Sequence, residues 1–284
     1  MLKLGLVQPN FQTGPKHLNS FYLPYTLGCL WSYVSQFDDI TDYFEIEEWL
    51  FDRPDLKIAV EKFSNCDVIF ASMYIWNTQY CYKLLSALKQ RNPDLIVIAG
   101  GPQIPWRDKD FFLKYPYIDC VVINEGEQAA LHILRAIKSG DNLPKTLQFN
   151  RLKELDELPS PYLTGVFDDL ISKHPDIGWV PTLETDRGCP FKCTFCDWGS
   201  ATGSKMHKLN LARIHDEINW FADSGMPYLS MTASNFGAFK QRDKEITKII
   251  VDCNSRTGMP TAISTSYGKN NADTVFEISK MLLD

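Results

Sequence analysis

The chain has 284 residues, 44% of them apolar, enough for two ordinary domains that each bury a core. Lys and Arg number 29 against 35 Asp and Glu, a formal charge of −6, which argues against a nucleic-acid partner because such partners call for a basic surface. No apolar run reaches the ~18 residues that a membrane span needs, and the stretch from Met1 to Val7 is too short for a signal peptide, so a cytoplasmic protein with no membrane partner is expected.

Strand-like and helix-like segments alternate from the start to about residue 140. The strand candidates are Lys3–Val7, Tyr43–Glu47, Asp67–Ala71, Leu95–Ala99 and Asp119–Ile123. The last three are short apolar runs between turns, as expected of strands buried on both faces. Cys81, Leu84, Leu85 and Leu88 recur at helical spacing, and Asn92-Pro93 stops that helix. Ala130, Ile133, Leu134 and Ile137 mark another, with Gly140 as its cap. The fold class is therefore α/β, beginning with a doubly wound parallel sheet over residues 1–140, its strands in the order 2-1-3-4-5. Ligands of such sheets bind beyond the carboxyl ends of the strands, which directs attention to the loops after strands 1, 3, 4 and 5.

Residues 141–180 read as a linker, interrupted by Leu143-Pro144, Pro159-Ser160-Pro161 and His174-Pro175, with a short helix near Tyr162–Ile171. A second series occupies residues 181–284. Its strand candidates are Pro181–Thr185, Tyr228–Thr232 and Thr261–Thr265. One helix carries Leu211, Ile214, Ile218 and Phe221 on one face behind Asn210 as N-cap. The next carries Ile246, Ile249, Ile250 and Cys253 and ends at Gly258 and Pro260; the last spans Ala272–Leu283.

Between the first strand and first helix of this series lies Arg187-Gly188-Cys189-Pro190-Phe191-Lys192-Cys193-Thr194-Phe195-Cys196. The other cysteines, Cys29, Cys66, Cys81, Cys120 and Cys253, sit among apolar neighbours and read as small buried hydrophobes. Three thiols so close in sequence converge on one centre only if the loop curls around it, and Gly188 supplies backbone freedom at its entrance. Soft thiolates select iron–sulfur clusters or zinc. A 4Fe–4S cluster held by three thiolates keeps one iron open for chemistry. A structural zinc site would need a fourth ligand, such as His207 or Cys253, and only Cys193–Cys196 has the paired spacing zinc favours.

The C-x3-C-x2-C pattern, with an aromatic before its last cysteine, resembles the signature of the radical S-adenosylmethionine superfamily. Cys196-Asp197-Trp198-Gly199-Ser200 resembles one branch of it, the enzymes with an N-terminal cobalamin-binding domain. The resemblance implies a 4Fe–4S cluster on Cys189, Cys193 and Cys196 whose open iron binds S-adenosylmethionine. One electron from the cluster would then release a 5′-deoxyadenosyl radical that abstracts hydrogen from a substrate. It also implies S-adenosylmethionine contacts from Phe195, near the adenine, and from Asn235, Ser264 and Ser266 at the ends of later strands. Relatives often read Asp-Ala-Asn-Phe-Gly where this chain has Ala233-Ser234-Asn235-Phe236-Gly237, so an acidic contact is missing. Capping or turn duty is an equal reading for Asn235 and Ser266.

The same resemblance makes the first domain a Rossmann-like cobalamin-binding domain. Ser72 would hydrogen-bond the nucleotide tail, and Gly100-Gly101 would let that tail pass. Asn10, Tyr74, Trp76, Gln103, Glu125 and Gly126 lie in the neighbouring loops. The Asp-x-His-x-x-Gly of domains that bind cobalt through histidine is absent after strand 1, where Gln8-Pro9-Asn10-Phe11-Gln12-Thr13-Gly14 stands and His17 is out of register. Cobalamin without a histidine ligand is expected, with Trp76 or Tyr74 over the lower face of the corrin; Trp76 reads equally as a core aromatic. Only three βα units fit after residue 181, so the second domain is expected to be the first half of a partial (β/α) barrel, as in a fragment or one part of a split enzyme. The expected reaction is methyl transfer to an unactivated carbon or phosphorus, because methylcobalamin can pass a methyl group to a radical; ring rearrangement is an alternative. The expected partners are a small-molecule or peptide substrate and an electron donor such as a flavodoxin or ferredoxin. The rivals are a non-catalytic module that keeps the cluster or the corrin, and a structural zinc protein.

Overall fold

The computed structural model describes residues 1–14, 19–105, 107–152, 154–196 and 204–283. In chain order its strands are β1 (Leu2–Val7), β2 (Ser20–Tyr22), β3 (Phe44–Leu50), β4 (Val68–Ser72), β5 (Ile96–Gly100), β6 (Cys120–Ile123), β7 (Thr146–Gln148), β8 (Gly178–Val180), β9 (Thr182–Leu183), β10 (Asp186–Arg187), β11 (His207–Lys208), β12 (Tyr228–Met231) and β13 (Ala262–Ser264). The helices are α1 (Tyr25–Val34), α2 (Asp38–Thr41), α3 (Leu56–Lys62), α4 (Thr78–Arg91), α5 (Phe111–Lys114), α6 (Glu127–Ser139), α7 (Asp168–Lys173), α8 (Leu211–Asp223), α9 (Lys240–Thr257) and α10 (Ala272–Leu283). The chain forms two compact units. One comprises Met1–Thr13 and Pro24–Arg151; the other comprises Gly14–Leu23 and Leu152–Asp284.

The first unit is built on a parallel sheet ordered β3-β1-β4-β5-β6-β7. Its first five strands follow the order 2-1-3-4-5 expected from the sequence. Its inner strands β4 and β6 are buried at every position, so the middle of the sheet is covered on both faces. In β4, Ile69 and Ala71 point into a core shared with Leu84, Leu85 and Leu88 of α4 and Val97 and Ala99 of β5. Phe70 points the other way, toward Leu4, Leu6, Leu30 and Trp31 and the α6 residues Ala130 and Leu134. Gly140 closes α6 in the left-handed conformation, as its position predicted.

The second unit holds a parallel three-stranded sheet ordered β13-β12-β9. Its helices follow the expected pattern. Asn210 Oδ1 accepts from Ala212 N at 2.8 Å and caps α8, while Gly258 ends α9 in the left-handed conformation. Two small ladders complete the unit: β2 runs parallel to β8, and β10 pairs antiparallel with β11.

The connector expected over residues 141–180 is not a separate segment here. Thr146–Gln148 adds a parallel strand to the first sheet beside β6, and the chain from Leu152 onward belongs to the second unit. The helix expected near Tyr162–Ile171 starts later, at Asp168, because residues 161–167 turn around the buried rings of Tyr162 and Phe167. Among the described residues, no helix is long and apolar enough to cross a membrane.

Candidate functional site

In the second unit the chain leaves β9, forms β10 and enters the cysteine loop. It returns on β11, with Arg187 opposite His207 and Asp186 opposite Lys208. The ladder closes the base of the loop. Gly188 sits there with φ +114°, and a Cβ at this position would collide with the carbonyl of Lys205. Only glycine meets both demands, so its place before Cys189 is set by the chain itself. Ser204 N also donates to Cys189 O at 2.8 Å.

Cys189 is buried, while Cys193 and Cys196 are half-buried; Cys196 N donates to Cys193 O at 3.1 Å in the turn that joins them. Two side chains from later loops point N–H groups at these sulfurs. Asn235 Nδ2 lies 3.2 Å from Cys189 Sγ, and Lys269 Nζ lies 3.7 Å from Cys193 Sγ. Among the described residues, no three His, Cys, Asp or Glu side chains gather closely enough to hold a single metal ion. A tetrahedral zinc would draw its ligands to ~2.3 Å of one point, whereas a cube gives each thiolate a different iron and asks for wider spacing. Cys253, proposed as a fourth zinc ligand, is buried on α9 against Ile218 O and Asn219 Oδ1. The loop thus offers soft donors of the kind that iron–sulfur clusters and zinc take: three thiols, two N–H groups aimed at their sulfurs, and the buried Asn235 Oδ1 with no hydrogen-bond partner among the described residues.

The other expected contacts are distributed unevenly. Phe195 is 85% exposed, with the Lys269 ammonium 5.8 Å from its ring centre. Ser264 and Ser266 are exposed at and after β13, and Ser266 O accepts from Phe236 N at 2.9 Å. Ala233, standing where relatives often have an acid, is wholly buried. Ser234 takes a different duty, donating its hydroxyl to Gly188 O at 2.8 Å.

Three charged residues that sequence reasoning missed hold these loops. The Asp243 carboxylate accepts from Gly237 N at 2.8 Å and Phe239 N at 2.9 Å, shaping the turn after Asn235. Arg242 donates to Thr185 O at 3.0 Å and Leu209 O at 2.6 Å. Asp186 accepts from Thr185 Oγ1 at 2.9 Å, and burial pushes its carboxyl up to about 6. Burial also raises Asp243 and lowers Arg242. The weak signal available was an acid four residues into the segment after Phe239, in the first turn of a helix.

In the first unit, the expected loops meet at the carboxyl ends of β1, β4, β5 and β6. Tyr74 and Trp76 stack with ring centres 4.6 Å apart and planes 10° from parallel. Trp76 Nε1 donates to the buried Asn10 Oδ1 at 3.0 Å, and Tyr74 shares a 2.7 Å hydrogen bond with Thr26. Trp76 is nonetheless 42% exposed, which corrects the reading of it as a core aromatic. Asn77 fixes this loop by accepting from Tyr74 N at 2.8 Å and donating to Ser72 O at 3.0 Å. The buried Ser72 Oγ has no hydrogen-bond partner among the described residues, an orphan that suits a ligand hydroxyl or phosphate oxygen. Gly101 has φ +102°, and a Cβ there would lie 2.5 Å from Met73 O, so this glycine serves the close approach of the two loops. Gln103 N donates to that same Met73 carbonyl at 3.2 Å. Gly100 would meet a Cβ with ordinary contacts only. Glu125 is engaged by Arg151 at 3.4 Å, and Gly126 caps α6 where a Cβ would press on Leu30. His17, and the string Asp197-Trp198-Gly199-Ser200, lie outside the described residues. Cys66, Cys81 and Cys120 are buried, as small hydrophobes would be, and desolvation pushes their thiols up to about 12.

A B12 binding domain model matches residues 48–134. The 2-(S-pantetheinyl)-carbapenam-3-carboxylate methyltransferase of Streptantibioticus cattleyicolor is 34% identical over 276 residues, covering 91% of this chain and 40% of that protein. The cobalamin-dependent radical SAM methyltransferase TokK of Streptomyces tokunonensis is 34% identical over 281 residues, covering 93% of this chain and 41% of its own. The chain thus spans about two fifths of the length of these curated relatives. Among solved structures, the radical S-adenosylmethionine methyltransferase TsrM from Kitasatospora setae shares the fold, with a TM-score of 0.63 at 16% identity over 92% of this chain and 53% of that one.

Proposed function

This chain belongs to the cobalamin-binding branch of the radical S-adenosylmethionine enzymes, and on that premise we propose that it carries the cofactor chemistry of a methyltransferase acting on an unactivated carbon or phosphorus. The reading rests above all on Cys189, Cys193 and Cys196 in a loop closed by β10 and β11, with the Asn235 amide on the first sulfur. When bound, a 4Fe–4S cluster with an open iron supplies the electron that cleaves S-adenosylmethionine to a 5′-deoxyadenosyl radical, and cobalamin supplies a carrier for the methyl group.

The three cysteines hold the cluster as thiolates. Phe195 and the loop polar groups of Asn235, Ser264 and Ser266 hold and orient S-adenosylmethionine; Asn235 Oδ1, on the side chain bonded to Cys189 and without a partner among the described residues, is one acceptor for it. In the first unit Ser72 binds the tail of the corrin through its unpaired hydroxyl, beside Asn10, Gly100, Gly101 and Gln103. Trp76, fixed by Asn10 and Tyr74, would lie against the bound corrin and keep water from it. The electron comes from a donor of flavodoxin or ferredoxin type, and the methyl acceptor is a small molecule or peptide. Methyl transfer is favoured over ring rearrangement because the relatives matched over nine tenths of this chain are named methyltransferases.

Anaerobic reconstitution with iron and sulfide tests the reading. It is expected to give a brown chain with ~4 irons that releases 5′-deoxyadenosine from S-adenosylmethionine under dithionite. A colourless chain holding one zinc would overturn it. A loaded cluster that yields no 5′-deoxyadenosine would favour the non-catalytic module.

A further inference from the structure

Asn235 is 1% exposed, and its amide nitrogen is the hub of a short hydrogen-bond chain. One N–H goes to Cys189 Sγ at 3.2 Å, and the other goes to Ser234 Oγ at 3.0 Å. Ser234 Oγ passes its own proton to Gly188 O at 2.8 Å. As a cluster ligand Cys189 would only accept, and the amide presents its nitrogen to that sulfur, with Asn235 Oδ1 left without a partner among the described residues. The hydroxyl of Ser234 has a single proton and a carbonyl to give it to, so it meets the amide as acceptor. Turning the amide over would set its oxygen against Cys189 Sγ and Ser234 Oγ, so the orientation seen is the one that a cluster thiolate calls for.

We infer that Asn235, oriented by Ser234, is a positioning residue that sets the reduction potential of the cluster through an N–H···S hydrogen bond to Cys189. This inference rests on the assignment of Cys189 as a cluster ligand. An electron added to the cluster increases the negative charge carried by its thiolates. A buried N–H donor stabilises the reduced form more than the oxidised form, and the low local dielectric enlarges that difference. The potential is therefore higher with the bond than without it. Lys269, near Cys193, is exposed, and water screens its effect.

The test measures midpoint potential by following the reduced-cluster EPR signal during a mediated dithionite titration of the reconstituted 284-residue chain, with no S-adenosylmethionine present. Asn235→Leu keeps the branched shape of the side chain and removes both donors; its potential is expected to fall below that of the unaltered chain at equal iron content. Ser234→Ala is expected to move the potential the same way by less, and to add nothing in the Asn235→Leu background. An unchanged potential in a fully loaded Asn235→Leu chain overturns the inference. Where Asn235→Leu loads no iron, an unchanged potential in Ser234→Ala overturns it instead. An unaltered chain that takes up no cluster overturns the assignment of Cys189 itself, a result distinct from either of these.

Discussion

Asp186 is a carboxylic acid that the fold buries with half of its hydrogen-bonding capacity unused. Its Oδ2 accepts from Thr185, but Oδ1 has no partner among the described residues, and the nearby Arg242 cation is offset by the charges of Asp243 and Glu184. Burial is the largest effect and pushes the group from 3.8 up to about 6. An acid whose folded value is raised binds more protons folded than unfolded, so stability falls as pH rises between about 4 and about 6. Below that window both states are protonated and the cost vanishes; above it the cost is complete, on the order of 3 kcal/mol for a shift of about two units. Asp186→Asn should therefore raise the urea midpoint of the second unit at pH 7.5 and have little effect near pH 4. Equal effects at both values would refute the assignment. None of this could be read from the chain, because an isolated Asp-Arg pair in sequence looks like solvated surface. The three cysteines were legible because they lie within one short stretch, Cys189 to Cys196, and their spacing alone brings them into one loop. Asn235 was legible only as a polar candidate. Its bond to Cys189 joins the ends of two different strands, and pairing of that kind depends on the folded sheet.

Elements with their own punctuation were the ones the sequence disclosed. Asn210 opens α8, Gly140 and Gly258 close α6 and α9, and Asn92-Pro93 ends α4. The elements that escaped notice lack such signals. α1 begins after Pro24 without a side-chain cap and carries Gly28 in its interior. β2 is three residues long and is defined by its pairing of Ser20 with Gly178, a partner no local pattern announces. A similar long-range device protects β9. The Tyr162 hydroxyl donates to Thr182 O at 2.8 Å and accepts from Thr182 N at 3.0 Å, standing in for a neighbouring strand on the edge of the sheet. Its ring is fully buried against Phe167, Trp220 and Phe221. Tyr162→Phe keeps the ring and strands both Thr182 backbone groups, a loss of about 1–3 kcal/mol. Because β9 leads into the cysteine loop, the variant should lower the urea midpoint of the second unit and load less iron at equal protein. Iron loading and urea midpoint both unchanged would show that the hydroxyl is dispensable.

Across the whole molecule, each unit buries its own core, and the expected cofactor residues divide cleanly between them. The order of the first five strands followed from alternating βα signals, since parallel crossovers permit few alternatives. β7 did not, because Thr146–Gln148 is short and mostly exposed, with no apolar run to mark it as a strand. Asn10, Ser72, Tyr74, Trp76, Gly100 and Gly101 all fall in the first unit, and Cys189, Cys193 and Cys196 all fall in the second. Loss of one cofactor should therefore leave the other in place. Replacing all three cysteines by serine removes the soft ligands and should abolish iron loading, while the visible spectrum of bound corrin at saturating hydroxocobalamin persists. Trp76→Ala removes a ring held by Asn10 and stacked on Tyr74. It should weaken corrin binding about tenfold, or ~1.4 kcal/mol, the scale of a lost aromatic contact. Its iron content should stay at that of the unaltered chain. Should the cysteine variant shed its corrin or the tryptophan variant its iron, the two sites would be coupled in folding, and the separate cores would not be the independent supports that their packing implies.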